Sequence, residues 1–265
     1  MTPKVLATDL DGTLLLPDLT VSPRVAAALR AAQAAGIAVV VLTARSWRSL
    51  RTLPTQVFGD GLAVCSNGAL IYDLGTDTIV HSVALDPVDL RAFLDRVDAT
   101  VDVLIGWETA DRVFRTPAYH ALAQYAGPTN AYLAAVELAD RVPDDHRVTK
   151  LFLRHETMDA DDLLALVAPL AGSISLTTSG GPFVEVMAPG ITKAATLASL
   201  CVDLGVGAED VVAVGDHTND LPMLEWAGRG VAMGNAHPSV LAAIAEHTAS
   251  NTEDGLALVI ESMLA

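Results

Sequence analysis

The sequence predicts an α/β protein: a doubly wound, mostly parallel core interrupted by an inserted α+β domain. Three observations carry this. Residues 37–43 and 211–214 are near-continuous apolar runs, the pattern of parallel strands covered on both faces. Strand-like and helical stretches alternate through the first 84 residues and again after residue 187. Between them the long apolar runs give way to strand pairs and hairpins. The expected organisation is a discontinuous core, residues 1–84 and 188–265, with the second domain inserted at 85–187.

The elements follow in order. Residues 4–10 form a short β-branched and apolar run that ends in carboxylates. Ser22 offers an N-cap, Pro23 the first helical position and Gly36 the stop of the first helix. After the strand at 37–43, a short helical segment at 46–53 precedes a strand at 62–65. Asn67-Gly68 turns the chain into 69–73, and a second turn at 75–77 leads to 78–85. Asp86-Pro87 starts a helix to about residue 97, followed by a strand pair at 101–107 and 111–115. No element is legible from 119 to 145. A strand at 147–154, a helix at 159–171 and a hairpin of 173–178 with 183–187 across Gly180-Gly181 complete the insert. The core resumes with a helix at 191–204, a strand at 211–214 ending in Gly215-Asp216, and a helix at 220–227. A strand at 230–233 and helices at 237–245 and 255–264 close the chain.

Composition narrows the function. The 265 residues carry 16 Lys plus Arg against 32 Asp plus Glu, a formal charge of −16. Nucleic acid and anionic membrane surfaces are held mainly by Lys and Arg, so neither is an expected partner. Two cysteines, Cys65 and Cys201, cannot build a disulfide framework or a zinc cluster. Asp9 and Asp11 fall where a secretory signal needs an uninterrupted apolar stretch, and no apolar run approaches the ~20 residues of a membrane helix. A cytoplasmic enzyme is expected; monomer and homodimer both stay open.

The chemistry gathers at strand ends. In an open parallel sheet ligands bind outside the carboxyl ends of the strands, and there the predicted strands place Asp9-Leu10-Asp11, Thr43-Ala44-Arg45 and Gly215-Asp216. Asp9 and Asp11, two apart on an extended chain, face one site. Gly12-Thr13 permits a sharp departure and presents backbone N–H groups to an anion. Asp216 completes a carboxylate cluster, with Asn219 and Asp220 in the turn that follows. Clustered carboxylates repel unless a cation sits among them, and oxygen-only ligands suit Mg²⁺. Only three lysines occur, Lys4, Lys150 and Lys193.

These motifs resemble the haloacid dehalogenase superfamily, in its Cof-like phosphatase branch, over nearly the whole chain. Asp9-Leu10-Asp11-Gly12-Thr13-Leu14 is similar to the nucleophile motif, Leu42-Thr43-Ala44-Arg45 to the phosphate-binding threonine motif, and Ser66-Asn67-Gly68-Ala69 to a segment typical of the branch. Gly190-Ile191-Thr192-Lys193 resembles the lysine motif. The acidic metal motif is matched by Gly215-Asp216-His217-Thr218-Asn219-Asp220-Leu221-Pro222. Val231-Ala232-Met233-Gly234-Asn235-Ala236 and Asn251-Thr252-Glu253-Asp254-Gly255 also fit. Ala44 stands where glycine is common.

The resemblance implies a Rossmann-like core with an α+β cap and a Mg²⁺-dependent phosphatase for a small phosphorylated metabolite, a sugar phosphate or phosphorylated cofactor. It implies Asp9 as nucleophile forming an aspartyl-phosphate, Asp11 as general acid and base, and Thr43 and Lys193 as donors to the transferring group. Asp9, the Asp11 carbonyl and Asp216 would hold the metal, with Gly12, Asn219 and Asp220 beside the phosphate or supporting the ligands. Arg45 and Asn67 are candidate substrate residues; with Arg48 and Glu185 they are expected to line the core–cap cleft. An acid two residues after the nucleophile favours phosphoryl transfer over dehalogenation, because a halide needs no proton to leave. A phosphosugar mutase or phosphotransferase, and a non-catalytic Mg²⁺- and phosphate-binding regulator, are the alternatives.

Overall fold

A strand whose five residues are all buried, β1 (Val5–Asp9), occupies the middle of the first sheet. The computed structural model of the protein describes residues 3–53, 60–124 and 136–265. Contacts divide the chain into two units, Met1–Val80 with Thr192–Ala265, and His81–Ile191.

In the first unit β1 pairs in parallel with β2 (Ala38–Leu42) on one side and β12 (Val211–Gly215) on the other. Beyond β2 come β3 (Leu62–Cys65), β4 (Leu70–Asp73) and β5 (Thr78–Ser82). Beyond β12 come β13 (Arg229–Ala232) and β14 (Glu246–His247). The parallel ladder runs from β14 to β3, and β4 turns back antiparallel. Strand order therefore grows in opposite directions from β1, through β2 and β3 and through β12 and β13. Right-handed crossovers then send their helices to opposite faces. On one, α1 (Pro23–Ala34) packs against α9 (Gly255–Leu264); on the other, α6 (Lys193–Asp203) packs against α7 (Leu221–Trp226). This covering of both faces is why Val39–Val41 and Val211–Val214 are apolar at every position. The short helices α2 (Trp47–Leu50) and α8 (Pro238–Ala243) follow β2 and β13.

The ends of the helices obey their caps. Ser22 accepts from the Val25 N–H ahead of Pro23, and the Gly36 backbone, at φ 81°, ends the α1 segment. Thr192 accepts from Ala195 N–H, so α6 begins at Lys193, two residues later than the sequence suggests.

The second unit is built on a sheet of order β10-β11-β9-β6-β7-β8. Its strands are β6 (Leu104–Thr109), β7 (Val113–Arg115), β8 (Val136–Leu138), β9 (Val148–Arg154), β10 (Ser175–Thr177) and β11 (Val184–Met187). One face carries the core, where Trp107 stacks on Phe114 at 5.2 Å between centroids and packs with Leu151, Val186 and Phe93. Phe93 comes from α3 (Pro87–Asp98), capped by Asp86. The alternate positions carry Glu108, Lys150 and Glu185. Helix α5 (Ala160–Val167) stops four residues short of the expected 171 and passes into a single 3₁₀ turn, Ala168–Leu170, in which the backbone of Ala168 is still helical and Pro169 supplies no N–H to continue the α-helical ladder. The stretch 119–145, where the sequence gives no element, contains the rest of α4 (Pro117–Gln124) and β8. Residues 125–135 of it lie outside the described residues. Among the described residues no helix is long and apolar enough to cross a membrane.

Candidate active site

The point where the strand order reverses brings three loops together, and Asp9 stands at its centre as the last residue of β1. Two neighbouring strands end beside it: β2 leads to Thr43 and β12 to Asp216.

The loop after β1 is shaped by Gly12, at φ 77°. A Cβ there would fall 2.3 Å from Asp216 Oδ2, so glycine alone admits the Asp216 carboxylate to this place. Thr13 Oγ1 donates to Asp216 Oδ1 at 2.9 Å. From the far end of the chain Asn235 Nδ2 donates to the Gly12 carbonyl at 2.8 Å, and Asn251 Nδ2 to that of Leu15 at 2.7 Å. Asn251 N–H donates in turn to Asn235 Oδ1. The sequence motifs contain both asparagines, yet their part in closing this loop was not anticipated.

Lys193 is the first residue of α6 and is buried. Its Nζ donates to Asp9 Oδ1 at 2.5 Å and to Asp220 Oδ1 at 2.7 Å. Asp220 is wholly buried, and its other oxygen accepts from the backbone N–H groups of Asp216 and His217 at 3.0 and 2.9 Å. Both Asp220 oxygens are thereby committed to the lysine and to the loop that carries Asp216. Asn219 Nδ2 donates to Asn67 Oδ1 at 3.0 Å.

Thr43 is buried, and its Oγ1 accepts from the Arg45 N–H at 3.0 Å. Arg45 reaches Asp11 through Nε and Nη2, at 2.7 Å each, and donates from Nη1 to Ser49 Oγ. Asp11 is exposed, unlike Asp9. Two other sequence candidates sit apart from this cluster's hydrogen bonds. The Arg48 guanidinium lies over the Trp47 ring, and Glu185 belongs to the second unit, buried against Lys150 with Nζ to Oε1 at 3.0 Å.

The electrostatics follow from crowding charge away from water. Burial pushes the Asp9 carboxyl well above its ordinary value; Lys193 opposes the rise, while Asp220, Asp216 and Asp11 add to it. Burial and the Asp220 charge raise Asp216 to about 6, against the pull of the Thr13 hydroxyl. Burial works against charge on Lys193, yet Asp220 and Asp9 hold it above the usual lysine value, so it stays a cation. One lysine faces three carboxylates, and oxygens of Asp9, Asp216 and Asp220 lie within 4.8 Å of one another. With Asp220 committed, Asp9 and Asp216 keep acceptor capacity for a cation. An all-oxygen, negatively charged pair suits a small hard divalent ion.

Comparison with known proteins adds to this geometry. A family model described as haloacid dehalogenase-like hydrolase matches residues 6–260. The pyridoxal phosphate phosphatase YbhA of Escherichia coli is 29% identical over 273 residues, covering 100% of both chains. The 5-amino-6-(5-phospho-D-ribitylamino)uracil phosphatase YcsE of Bacillus subtilis is 28% identical, covering 97% of this chain and 94% of its own. A crystal structure of a haloacid dehalogenase-like hydrolase from Bacteroides thetaiotaomicron superposes with a TM-score of 0.78 at 26% identity, covering 98% of this chain and 99% of that one.

Proposed function

The chain belongs to the haloacid dehalogenase-like hydrolase family, and from that premise we propose a Mg²⁺-dependent phosphatase working through an aspartyl-phosphate. It is a phosphoric monoester hydrolase for small phosphorylated substrates. Pyridoxal phosphate and sugar phosphates are the substrate types this reading favours.

The observation that carries it is the buried contact between Lys193 Nζ and Asp9 Oδ1. It fixes one carboxylate oxygen, leaves Oδ2 to attack phosphorus, and sets a permanent cation beside the transferring group. Asp9 Oδ2 forms the new bond to phosphorus as the ester oxygen departs. Asp11 gives that oxygen its proton, then takes one from the water that opens the aspartyl-phosphate and returns free phosphate. The Thr43 hydroxyl and the Gly12 N–H donate to phosphoryl oxygens. Asn219, whose Nδ2 is engaged by Asn67, keeps an acceptor for water. Asp220 holds Lys193 in place. Arg45 is a substrate-binding candidate through its guanidinium. Asp9, Asp216 and the Asp11 carbonyl would hold Mg²⁺, which when bound neutralises charge on the phosphoryl group so that two anions can meet.

The test is release of inorganic phosphate from p-nitrophenyl phosphate and a panel containing pyridoxal phosphate and sugar phosphates, with Mg²⁺ and with EDTA. Turnover in Mg²⁺ that EDTA and Asp9→Asn both abolish is expected. No turnover above the Asp9→Asn control on any panel member would overturn the reading. An alcohol acceptor in the same assay separates hydrolysis from phosphoryl transfer.

A further inference from the structure

Ser66, Asn67 and Gly68 stand in succession at positive φ, 50°, 57° and 107°. Three such residues in a row are rare outside glycine. The turn is held from two sides. Ser66 N–H donates to the Arg45 carbonyl and Asn67 N–H to that of Thr43, while Thr196 Oγ1 of α6 donates to the Gly68 carbonyl. A Cβ at Gly68 would lie 2.6 Å from the Thr192 carbonyl, so glycine lets the turn press against the start of α6.

This turn leads the Asn67 side chain to Asn219. The strands that launch the two loops, β3 and β12, are three positions apart in the sheet, about 14 Å at the usual ~4.8 Å spacing. The bond from Asn219 Nδ2 to Asn67 Oδ1 closes that gap. It therefore spans the carboxyl ends of β1 and β2, the strands that lead to Asp9 and Thr43. Both asparagines are more than nine-tenths buried, and the outer atom of each, Asn67 Nδ2 and Asn219 Oδ1, has no hydrogen-bond partner. Buried amide groups are seldom left so, and such exceptions point to a ligand.

We propose that Asn67 binds the transferring phosphoryl group, its Nδ2 donating to a phosphoryl oxygen; this rests on the phosphatase reading above. A neutral donor is what an anion requires here, since a carboxylate at the same place would repel it. Asparagine also tolerates the left-handed backbone that aims it. The Asn219 carbonyl oxygen, held by the same pair, is left to accept from the attacking water.

The experiment is calorimetric titration of the full chain, in Mg²⁺, with orthovanadate and orthophosphate, alongside p-nitrophenyl phosphate kinetics. Asn67→Gly keeps the backbone and removes the amide. Asn67→Asp keeps both the backbone tolerance and the acceptor for Asn219, and replaces the donor by a carboxylate that repels the anion. Each is expected to weaken vanadate binding about 10- to 100-fold, with kcat/KM falling in parallel. Wild-type vanadate affinity in Asn67→Asp would show a merely structural residue and overturn the inference, as would wild-type affinity in Asn67→Gly. Should Asn67→Gly fail to fold, Asn67→Asp decides. A wild-type protein that neither turns over a phosphate ester nor binds vanadate would bring down the phosphatase reading itself. An active wild type with unaffected variants brings down this assignment alone.

Discussion

Both carboxylate oxygens of Asp11 accept from a single guanidinium, that of Arg45, through Nε and Nη2 at 2.7 Å each. A carboxyl so engaged has no oxygen turned to a leaving group, so the pair must open for Asp11 to act as an acid. The Asp11 side chain is 46% exposed, and water screens such a pair. A double-mutant cycle of Arg45→Ala and Asp11→Asn, read by urea unfolding, is expected to give a coupling of no more than about 1 kcal/mol. A larger value would mean that the pair is there for stability.

Asp11→Asn itself is expected to slow turnover by roughly 10²–10⁴, with Mg²⁺ affinity largely unchanged by calorimetry. Its backbone carbonyl, the atom assigned to the metal, survives the substitution. Loss of metal binding would show that the side chain is the ligand.

Lys193→Met removes the cation between Asp9 and Asp220 and leaves two buried carboxylates facing each other. Breaking a buried pair in this way typically costs about 3–5 kcal/mol, measured here by denaturant unfolding in EDTA. Turnover is expected to fall by at least about 10². Unchanged stability would mean that Asp9 and Asp220 give up their charges without cost.

Gly12→Ala meets two obstacles, a φ of 77° and a Cβ 2.3 Å from Asp216 Oδ2. The backbone alone costs about 1–2 kcal/mol, and displacement of Asp216 is expected to weaken Mg²⁺ binding as well. Gly12→Asn separates the causes, since asparagine tolerates the dihedral but carries the same Cβ. Restored metal affinity in Gly12→Asn would exclude the steric contact.

In the chelated protein Asp216 is raised to about 6 from an ordinary 3.8. The folded chain then binds this proton more tightly than the unfolded one, so the contribution of Asp216 to stability is lost as pH rises from about 4 through about 6. Mg²⁺ bound as proposed would relieve the repulsion among these carboxylates. The rise in thermal midpoint on adding Mg²⁺ to EDTA-treated protein is therefore expected to be larger at pH 7.5 than at pH 5. An equal rise at both would remove Asp216 from the ligand set.

Asp9, Thr43, Lys193 and Asp216 were legible because each sits at a strand end or helix start whose punctuation is local: apolar run, then carboxylate; Gly-x-Thr-Lys, then helix. The bond between Asn67 and Asn219 joins residues 152 apart in sequence, and nothing local forecasts it. The Asp11 to Arg45 fork is likewise a matter of which loops meet. Helix α4 has only eight residues, and its polar positions His120 and Gln124 make a single i,i+4 pair, too little for a helical period to register. The three-residue β8 and two-residue β14 are too short for any periodicity to register.

The neighbours of β1 also set a timetable for synthesis. Val5 pairs with Val211, 206 residues later, so at about 5–20 residues per second β1 waits roughly 10–40 s on the ribosome for its partner. Asn235 and Asn251, which close the loop behind Asp9, emerge later still. Residues 81–191, which form a compact unit of their own, are complete before that. The insert is thus able to fold while the two halves of the core are still apart, and the surroundings of Asp9 are among the last parts of the molecule to assemble.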